Sequence, residues 1–415
     1  MIKTLDNGIR VSLEKVPFFH SVSVGVWVKA GSRYESQLEN GISHFVEHML
    51  FKGTTNRCAR EIAAEIDNIG GVLNAFTAKE CTCYYVHVMD EHVAIGIRLL
   101  ADMLKNSLFD QDEIKKEQGV VCEEISMVDD TPDDLVHELA SKGLYGRNPL
   151  GQTILGPKEN VCSFDKCCIK NYIKKRYTAD NIVLSVAGNI DQQQVLDLLT
   201  AEFSDGIFKS KGENGALDAV ARGNDAVISA IKDNEQMNMC WTFEGVGNED
   251  ECFYPLTVFN GLFGGSMSSR LFQSVREERG LAYSIYSYQN SYNDCGTYNI
   301  YAAMNPEQTE NVISLVKNEI MRAIEEKLSE DELNAAREQI KGSLILGTEG
   351  ARPIMSRNGK MLLLKNKTEP VENIINKLNA VTAEDVSQAV IKVFGGKHCC
   401  AFVGKKDYIP KEIIL

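Results

Sequence analysis

No apolar run in this sequence approaches the roughly 18 residues that a bilayer-spanning helix needs, so no spanning helix is expected. The start, Met1 to Gly8 (MIKTLDNG), lacks the apolar stretch of a secretory signal. Together these absences make the cytoplasm the expected location. Positive charge is also in short supply: 44 Lys+Arg face 58 Asp+Glu, a net charge of −14. Such a surface repels phosphate backbones and speaks against a nucleic-acid partner. Twelve cysteines are present, yet no Cys-x-x-Cys occurs among them. Adjacent pairs such as Cys167-Cys168 and Cys399-Cys400 make a poor disulfide or metal framework in a long chain without an export signal. Cys81 and Cys83 read as same-face positions of one strand, and most of the cysteines as small buried hydrophobes.

What is there is the mix of a soluble globular protein: 44% hydrophobic and 25% charged over 415 residues, enough for two or three domains. A hairpin is expected from Lys3 to Leu13, turning at Asp6-Asn7-Gly8. Ser21 to Lys29 alternates strictly, with Val22, Val24, Val26 and Val28 on one face of a strand. Helices are expected over 41–52, stopped by Gly53, and over 58–69, 91–106 and 111–129. Val72 to Val88 reads as strand or hairpin and Ile182 to Ala187 as a strand.

After Phe203 the pattern lapses. Ser204 to Asn224 holds four glycines and little periodicity, as a linker would. Then the order restarts: strand over 226–243, helix near 254–262, Tyr-rich strand over 281–304, and helices over 307–327 and 329–346. This reads as an α+β fold of two similar domains, each a mostly antiparallel sheet packed with helices. The expected boundaries are 1–204, a linker over 205–224, and 225–415, with duplication as a possible origin.

Only seven histidines occur, and two of them stand in His44-Phe45-Val46-Glu47-His48. Residues four apart on a helix share a face, within about 6 Å of rise. Two imidazoles so placed can share a Zn²⁺, and Glu47 can reach a water at the metal without being a ligand. Chance would produce this pattern on the order of 0.01 times in such a chain. The competing reading is a surface helix with two solvated histidines. Against it stand Phe45, Val46, Met49, Leu50 and Phe51, which imply a buried helix, where histidines need partners. A third ligand is sought on helix 111–129, which offers Glu113, Glu117, Glu123 and Glu124. Glu117 and Glu124 are seven apart and share a face; spacing alone does not choose between Glu123 and Glu124.

H-x-x-E-H is the inverzincin signature. His44 to Thr54 (HFVEHMLFKGT) closely resembles the pitrilysin-like zinc peptidases, family M16, especially the branch of the mitochondrial processing peptidase and its short bacterial relatives. Gly70 to Thr77 (GGVLNAFT), Ala187 to Asp191, Gly264 to Phe272 (GGSMSSRLF) and Arg276 to Tyr283 (REERGLAY) extend the resemblance over nearly the whole chain. The resemblance implies Glu124 as third ligand, Glu117 as the acidic residue supporting the ligands, and one zinc per chain. It further implies a substrate strand pairing near Asn74 and Ala75. Arg276 and Tyr283 would reach the active site from the other half of a clamshell. Tyr254 to Gly265, aligned with the metal helix in the second half, contains no His. The second domain is therefore expected to be a degenerate copy.

The function so implied is a zinc endopeptidase acting on extended peptides or unfolded segments. Glu47 would be the general base, with Arg276 and Tyr283 as hydrogen-bond donors at the scissile group. Net charge −14 and the acidic stretch from Glu123 to Asp134 favour cationic substrates. The main alternative is a non-catalytic binding or scaffold subunit of the same fold. Such copies typically lose part of the metal set, which is complete here. A cysteine hydrolase lacks any nucleophile motif. Because longer family members carry both clamshell halves on one chain, this one is expected to form a homodimer, or a heterodimer with a paralogue.

Overall fold

The computed structural model describes residues 1–205, 208, 221–413 and 415. The expected linker, 205–224, lies largely outside the described residues. Contacts divide the chain into two compact units. The first comprises Met1–Ile125, Thr153–Leu217 and Leu346–Glu369; the second comprises Ser126–Gln152, Asp218–Ile345 and Pro370–Leu415.

The first unit is built on six strands: β1 (Ile2–Thr4), β2 (Arg10–Lys15), β3 (Ser21–Val28), β4 (Val72–Thr77), β5 (Thr82–Met89) and β6 (Ile182–Gly188). Their order is β1-β2-β6-β3-β5-β4, with β2 and β6 parallel and every other pair antiparallel. The second unit has five: β7 (Ala226–Ile231), β8 (Met237–Gly245), β9 (Ala282–Ser291), β10 (Gly296–Met304) and β11 (His398–Gly404), in the order β7-β11-β8-β10-β9. Here the last strand, β11, inserts parallel to β7, as β6 does to β2, and the rest pair antiparallel. Without β1, the two sheets share one winding: β2, β6, β3, β5, β4 correspond in turn to β7, β11, β8, β10, β9. The stretch 226–243, expected as one strand, is two strands that do not pair with each other, because β11 lies between them.

Helices α1 (Ile42–Met49), α2 (Ala59–Asp67), α3 (Val93–Asn106) and α4 (Gln111–Asp130) follow β3 and β5. The alternation of β3 explains the main core. Val22, Val24, Val26 and Val28 bury against Phe45, Val46 and Met49 of α1, Ile62 and Ile66 of α2 and Leu100 of α3. Its other face is not solvated: Ser23 and Trp27 are buried too. Trp27, Cys81, Cys83, Tyr85 and Val183 form a second apolar layer with Met355, Leu362 and Leu363 of the helix Ala351–Lys365. Cys81 and Cys83 thus do sit together on one buried face, and none of the 12 cysteines is in a disulfide.

The second unit mirrors this. One face of its sheet packs on the helices Phe253–Phe263, Thr309–Glu325 and Ala383–Phe394. The other takes Val136 and Ala140 of α5 (Pro132–Tyr145) against Cys240, Tyr301, Ala401 and Val403. The units are therefore interleaved rather than contiguous at 1–204 and 225–415. Each sheet has two apolar faces, and its own half of the chain covers only one. A helix from the other half of the sequence covers the second.

The exchanged helix Ala351–Lys365 approaches its sheet closely enough to require glycine. A Cβ on Gly359 would lie 2.2 Å from Trp27 Nε1, and one on Gly25 would lie 2.3 Å from Met355 Sδ. Overpacking at such a contact costs about 1–3 kcal/mol. Gly359→Leu is expected to lower the thermal midpoint by several degrees in a circular-dichroism melt. An unchanged midpoint would mean that this helix does not seat on Trp27.

Candidate metal centre

Helix α1 begins at Gly41, whose φ of 100° is a left-handed conformation that side chains rarely adopt. Its first amides have no capping side chain at Gly41. Glu35 supplies one from upstream: its buried carboxylate accepts the N–H of Gly41 and of Ser43, each at 2.8 Å, and Nδ2 of Asn40 at 3.1 Å. Burial raises the Glu35 pKa, against the pull of these donors. Ser43 Oγ lies 2.5 Å from the buried Tyr172 hydroxyl, which ties α1 to the helix Lys166–Arg176. The helix ends at Met49, and Gly53, with φ 112°, turns the chain away.

On this anchored helix Ile42, Ser43, Phe45, Val46 and Met49 are buried, whereas His44, Glu47 and His48 are only partly so. The chemistry-bearing face is therefore the one turned to α4. His44 Nε2 and His48 Nε2 lie 3.8 and 3.7 Å from the same oxygen, Oε2 of Glu124. One ligand atom from each of the three residues lies within 4.8 Å of the others. Bonds of 2.0–2.2 Å in a tetrahedron put ligand atoms about 3.4 Å apart, so a small contraction closes this triad on a zinc ion. Glu124 is selected over Glu123 by rotation: Glu123 is exposed, and Glu117 and Glu124 both face α1. Val121, between them, is fully buried.

The second ring nitrogen of His48 is committed. Nδ1 is 2.8 Å from Glu117 Oε1, and Lys52 donates Nζ to Glu117 Oε2 at 2.6 Å. A carboxylate behind a ligating histidine fixes its tautomer and orientation, here leaving Nε2 toward Glu124. Burial alone would raise the Glu117 pKa, but the His48 and Lys52 hydrogen bonds outweigh it and hold the pKa below the ordinary range. Burial works against a charged His48 as well, yet the Glu117 hydrogen bond and the nearby carboxylates raise its pKa. His44 differs. Burial, then the neighbouring His48, lowers its pKa to about 4, and its Nδ1 is buried without a hydrogen-bond partner. A neutral imidazole is the form a cation needs. The donor set and its support fit zinc.

Glu47 points to the neighbouring strand, where Thr77 of β4 donates its hydroxyl to Oε2. Burial raises the Glu47 pKa, opposed by that hydrogen bond and by His48. β4 is the sheet edge and, among the described residues, pairs with β5 alone; its Asn74 is exposed and Ala75 partly so. The Ala75 N–H donates to the Asn74 side chain at 2.8 Å. Arg276 and Tyr283 belong to the second unit. Tyr283 is the second residue of β9 but is 74% exposed, so it is no core aromatic. The Arg276 guanidinium, also on an exposed residue, stands 5.9 Å from the Tyr283 ring centre and 4.8 Å from that of Phe272.

Three contributors escape sequence reasoning. Lys52 is one turn after His48, a spacing that could have marked it. Thr77 closes the GGVLNAFT segment and could have been taken from its strand. Glu35 has no periodic relation to α1, and only the folded loop brings it to the helix end.

Comparisons with known proteins bear on the family and the fold. Residues 10–158 match the family described as insulinase (peptidase family M16), and residues 166–340 match the peptidase M16 inactive domain. An uncharacterized zinc protease of Bacillus subtilis (strain 168) is 43% identical over 412 residues, covering 99% of this chain and 100% of that protein. An uncharacterized zinc protease of Rickettsia felis is 37% identical over 407 residues, with 98% of each covered. The peptidase M16 inactive domain structure from Pseudomonas fluorescens superposes with a TM-score of 0.90 at 18% identity, covering 98% of both chains. A protease from Helicobacter pylori gives 0.88 at 20% identity, covering 97% of this chain and 99% of its own. These two establish the fold; the full-length relatives and the matched domains establish the family. The chain belongs to peptidase family M16, and among its described residues His44, His48 and Glu124 form a group that could hold a metal ion.

Proposed function

We propose that this protein is a zinc-dependent endopeptidase that cleaves peptides or unfolded segments held in extended conformation. The observation that carries the reading is Glu47. It is a partly buried carboxylate with a raised pKa, beside the three-residue metal set but not part of it. Bound zinc supplies Lewis-acid polarisation of the scissile carbonyl and makes a coordinated water more acidic. Glu47 takes the proton from the attacking water and returns it to the leaving amine. The Thr77 hydroxyl holds Oε2 and leaves the other oxygen to act.

The substrate backbone would add to the exposed edge of β4, taking up the Ala75 N–H now held by the Asn74 side chain. That mode reads main chain, so sequence preference should be loose. Arg276 and Tyr283 would donate to the substrate carbonyl from the second half of a clamshell. Since this chain carries one metal-bearing unit and one Arg276/Tyr283 unit, two chains would build the closed chamber, most simply as a homodimer. The expected setting is the cytoplasm. No described helix is long and apolar enough to cross a membrane.

Glu47→Gln is expected to keep its zinc and lose at least ~10² in the rate of peptide hydrolysis, read by mass spectrometry of a peptide-library digest. A variant that cleaves like the parent would remove Glu47 from the base role. Glu124→Gln should lower zinc content while Glu123→Gln should not. Glu117→Gln should weaken zinc binding about 10- to 100-fold, because it loses the charge that orients His48. The reverse ranking of Glu123 and Glu124 would move the third ligand by one residue.

The dimer is tested by mixing. Glu47→Gln and Tyr283→Phe chains should each be nearly inactive. Co-refolded, they should regain part of the activity, because some dimers then hold one site with both residues intact. Mixed dimers as inactive as their parents would place the complete site within one chain.

A further inference from the structure

Cys122 lies on α4, two residues before the metal ligand Glu124, and its Sγ is 3.7 Å from Sγ of Cys162. Neither is in a disulfide; Cys122 is partly buried and Cys162 exposed. Cys162 sits on the short helix Lys158–Ser163, which is tied to both helices that furnish metal ligands. Toward α4, Gln118 donates Nε2 to the carbonyls of Cys162 (3.2 Å) and Phe164 (3.0 Å). Toward α1, the Phe164 ring packs on Phe45 with centres 5.7 Å apart. Asn160 adds hydrogen bonds to the carbonyls of Gln37 and Asn40 (2.8 and 3.1 Å), in the loop that leads into α1. The backbones beneath the two sulfurs are thus held in place. Closure to a disulfide brings the sulfurs from 3.7 Å to roughly 2.05 Å.

We propose that Cys122 and Cys162 form a redox-responsive dithiol site. Its disulfide latches the Glu124 helix to the segment anchored on the His44/His48 helix and slows loss of the metal. The oxidant class is a peroxide. The Cys162 thiolate attacks one peroxide oxygen and breaks the O–O bond. This gives a sulfenic acid and hydroxide, which takes up the thiol proton as water. Cys122 sulfur then attacks the Cys162 sulfur, forming the S–S bond and expelling the sulfenic oxygen as a second water. Two thiols and one hydrogen peroxide become one disulfide and two waters. A dithiol reductant reverses the change by thiol–disulfide exchange.

The latch concerns zinc retention and rests on the metal assignment, whereas the cross-link does not, so the two halves fail separately. The zinc-loaded full chain is treated with near-stoichiometric hydrogen peroxide, alkylated, digested without reduction and mapped by mass spectrometry. Cys122 and Cys162 should appear as one cross-linked pair, two hydrogens lighter. Zinc release to a chromogenic chelator should slow by about tenfold, the low end of what outer-shell support contributes to a metal site. Dithiothreitol should restore both. Cys162→Ser, at an exposed position, should abolish both effects with zinc content and peptide hydrolysis unchanged. If Cys122 and Cys162 stay alkylatable while Cys58, Cys167 or Cys168 oxidise, the dithiol site is refuted. If the pair cross-links and zinc release is unchanged, the latch is refuted.

Discussion

The hydrogen bond between His48 Nδ1 and Glu117, backed by Lys52, sets which nitrogen of His48 is available to a cation. An imidazole has two equivalent-looking faces, and a partly buried one with neither nitrogen assigned would be a poor ligand. With Nδ1 committed, Nε2 is left facing the same Glu124 oxygen that His44 faces. The arrangement also explains a contrast within the pair. His48 is fixed by a carboxylate, whereas His44, with its Nδ1 unpaired, is held by the packing of α1 and by whatever occupies the site. Two imidazoles with ring centres 4.5 Å apart, facing one carboxylate oxygen, form a half-dry cluster whose natural centre is a divalent ion.

That cluster depends in turn on elements that hold α1 and α4 face to face. Glu35 caps α1, Tyr172 ties Ser43, and Gln118 clamps α4 to the carbonyls of residues 162 and 164. β4 lies close enough for Thr77 to hold Glu47. Helix α1 is thus stiffened at its start, and Glu47 is held from an edge strand of the sheet. In the second unit the helix Phe253–Phe263 occupies the corresponding place, between β8 and β9, and carries no histidine. The two sheets share one strand winding, while the histidine pair stands on only one of the two helices.

Much of the site was legible in the sequence because helix geometry is a local rule. His44, Glu47 and His48 follow from one motif, and Glu117 and Glu124 from a spacing of seven. Spacing did not choose Glu124 over Glu123, since that depends on the rotation of α4 about a core set by Val121; only the family resemblance pointed to Glu124. The α+β class and the repeated plan were readable from periodicity. The exchange of α5 and the helix Ala351–Lys365 was not, because which sheet a helix covers is decided by long-range packing. Trp27 over Gly359 is a contact across more than 300 residues with no local trace. The alternation of β3 suggested one buried face. Its serines, glycine and tryptophan are instead the small and large pieces of a second buried face. The strand break between Ile231 and Met237 was missed because both flanks are apolar and β-prone.

The central claim is that one zinc ion is held by His44, His48 and Glu124. Anomalous diffraction from crystals of the zinc-equilibrated protein, collected on both sides of the zinc edge, addresses it directly. The account predicts one strong peak per chain, about 2.0–2.2 Å from Nε2 of His44, Nε2 of His48 and a Glu124 oxygen, with Glu117 outside bonding range. A peak centred on other residues, or no peak at this triad at saturating zinc, would contradict it.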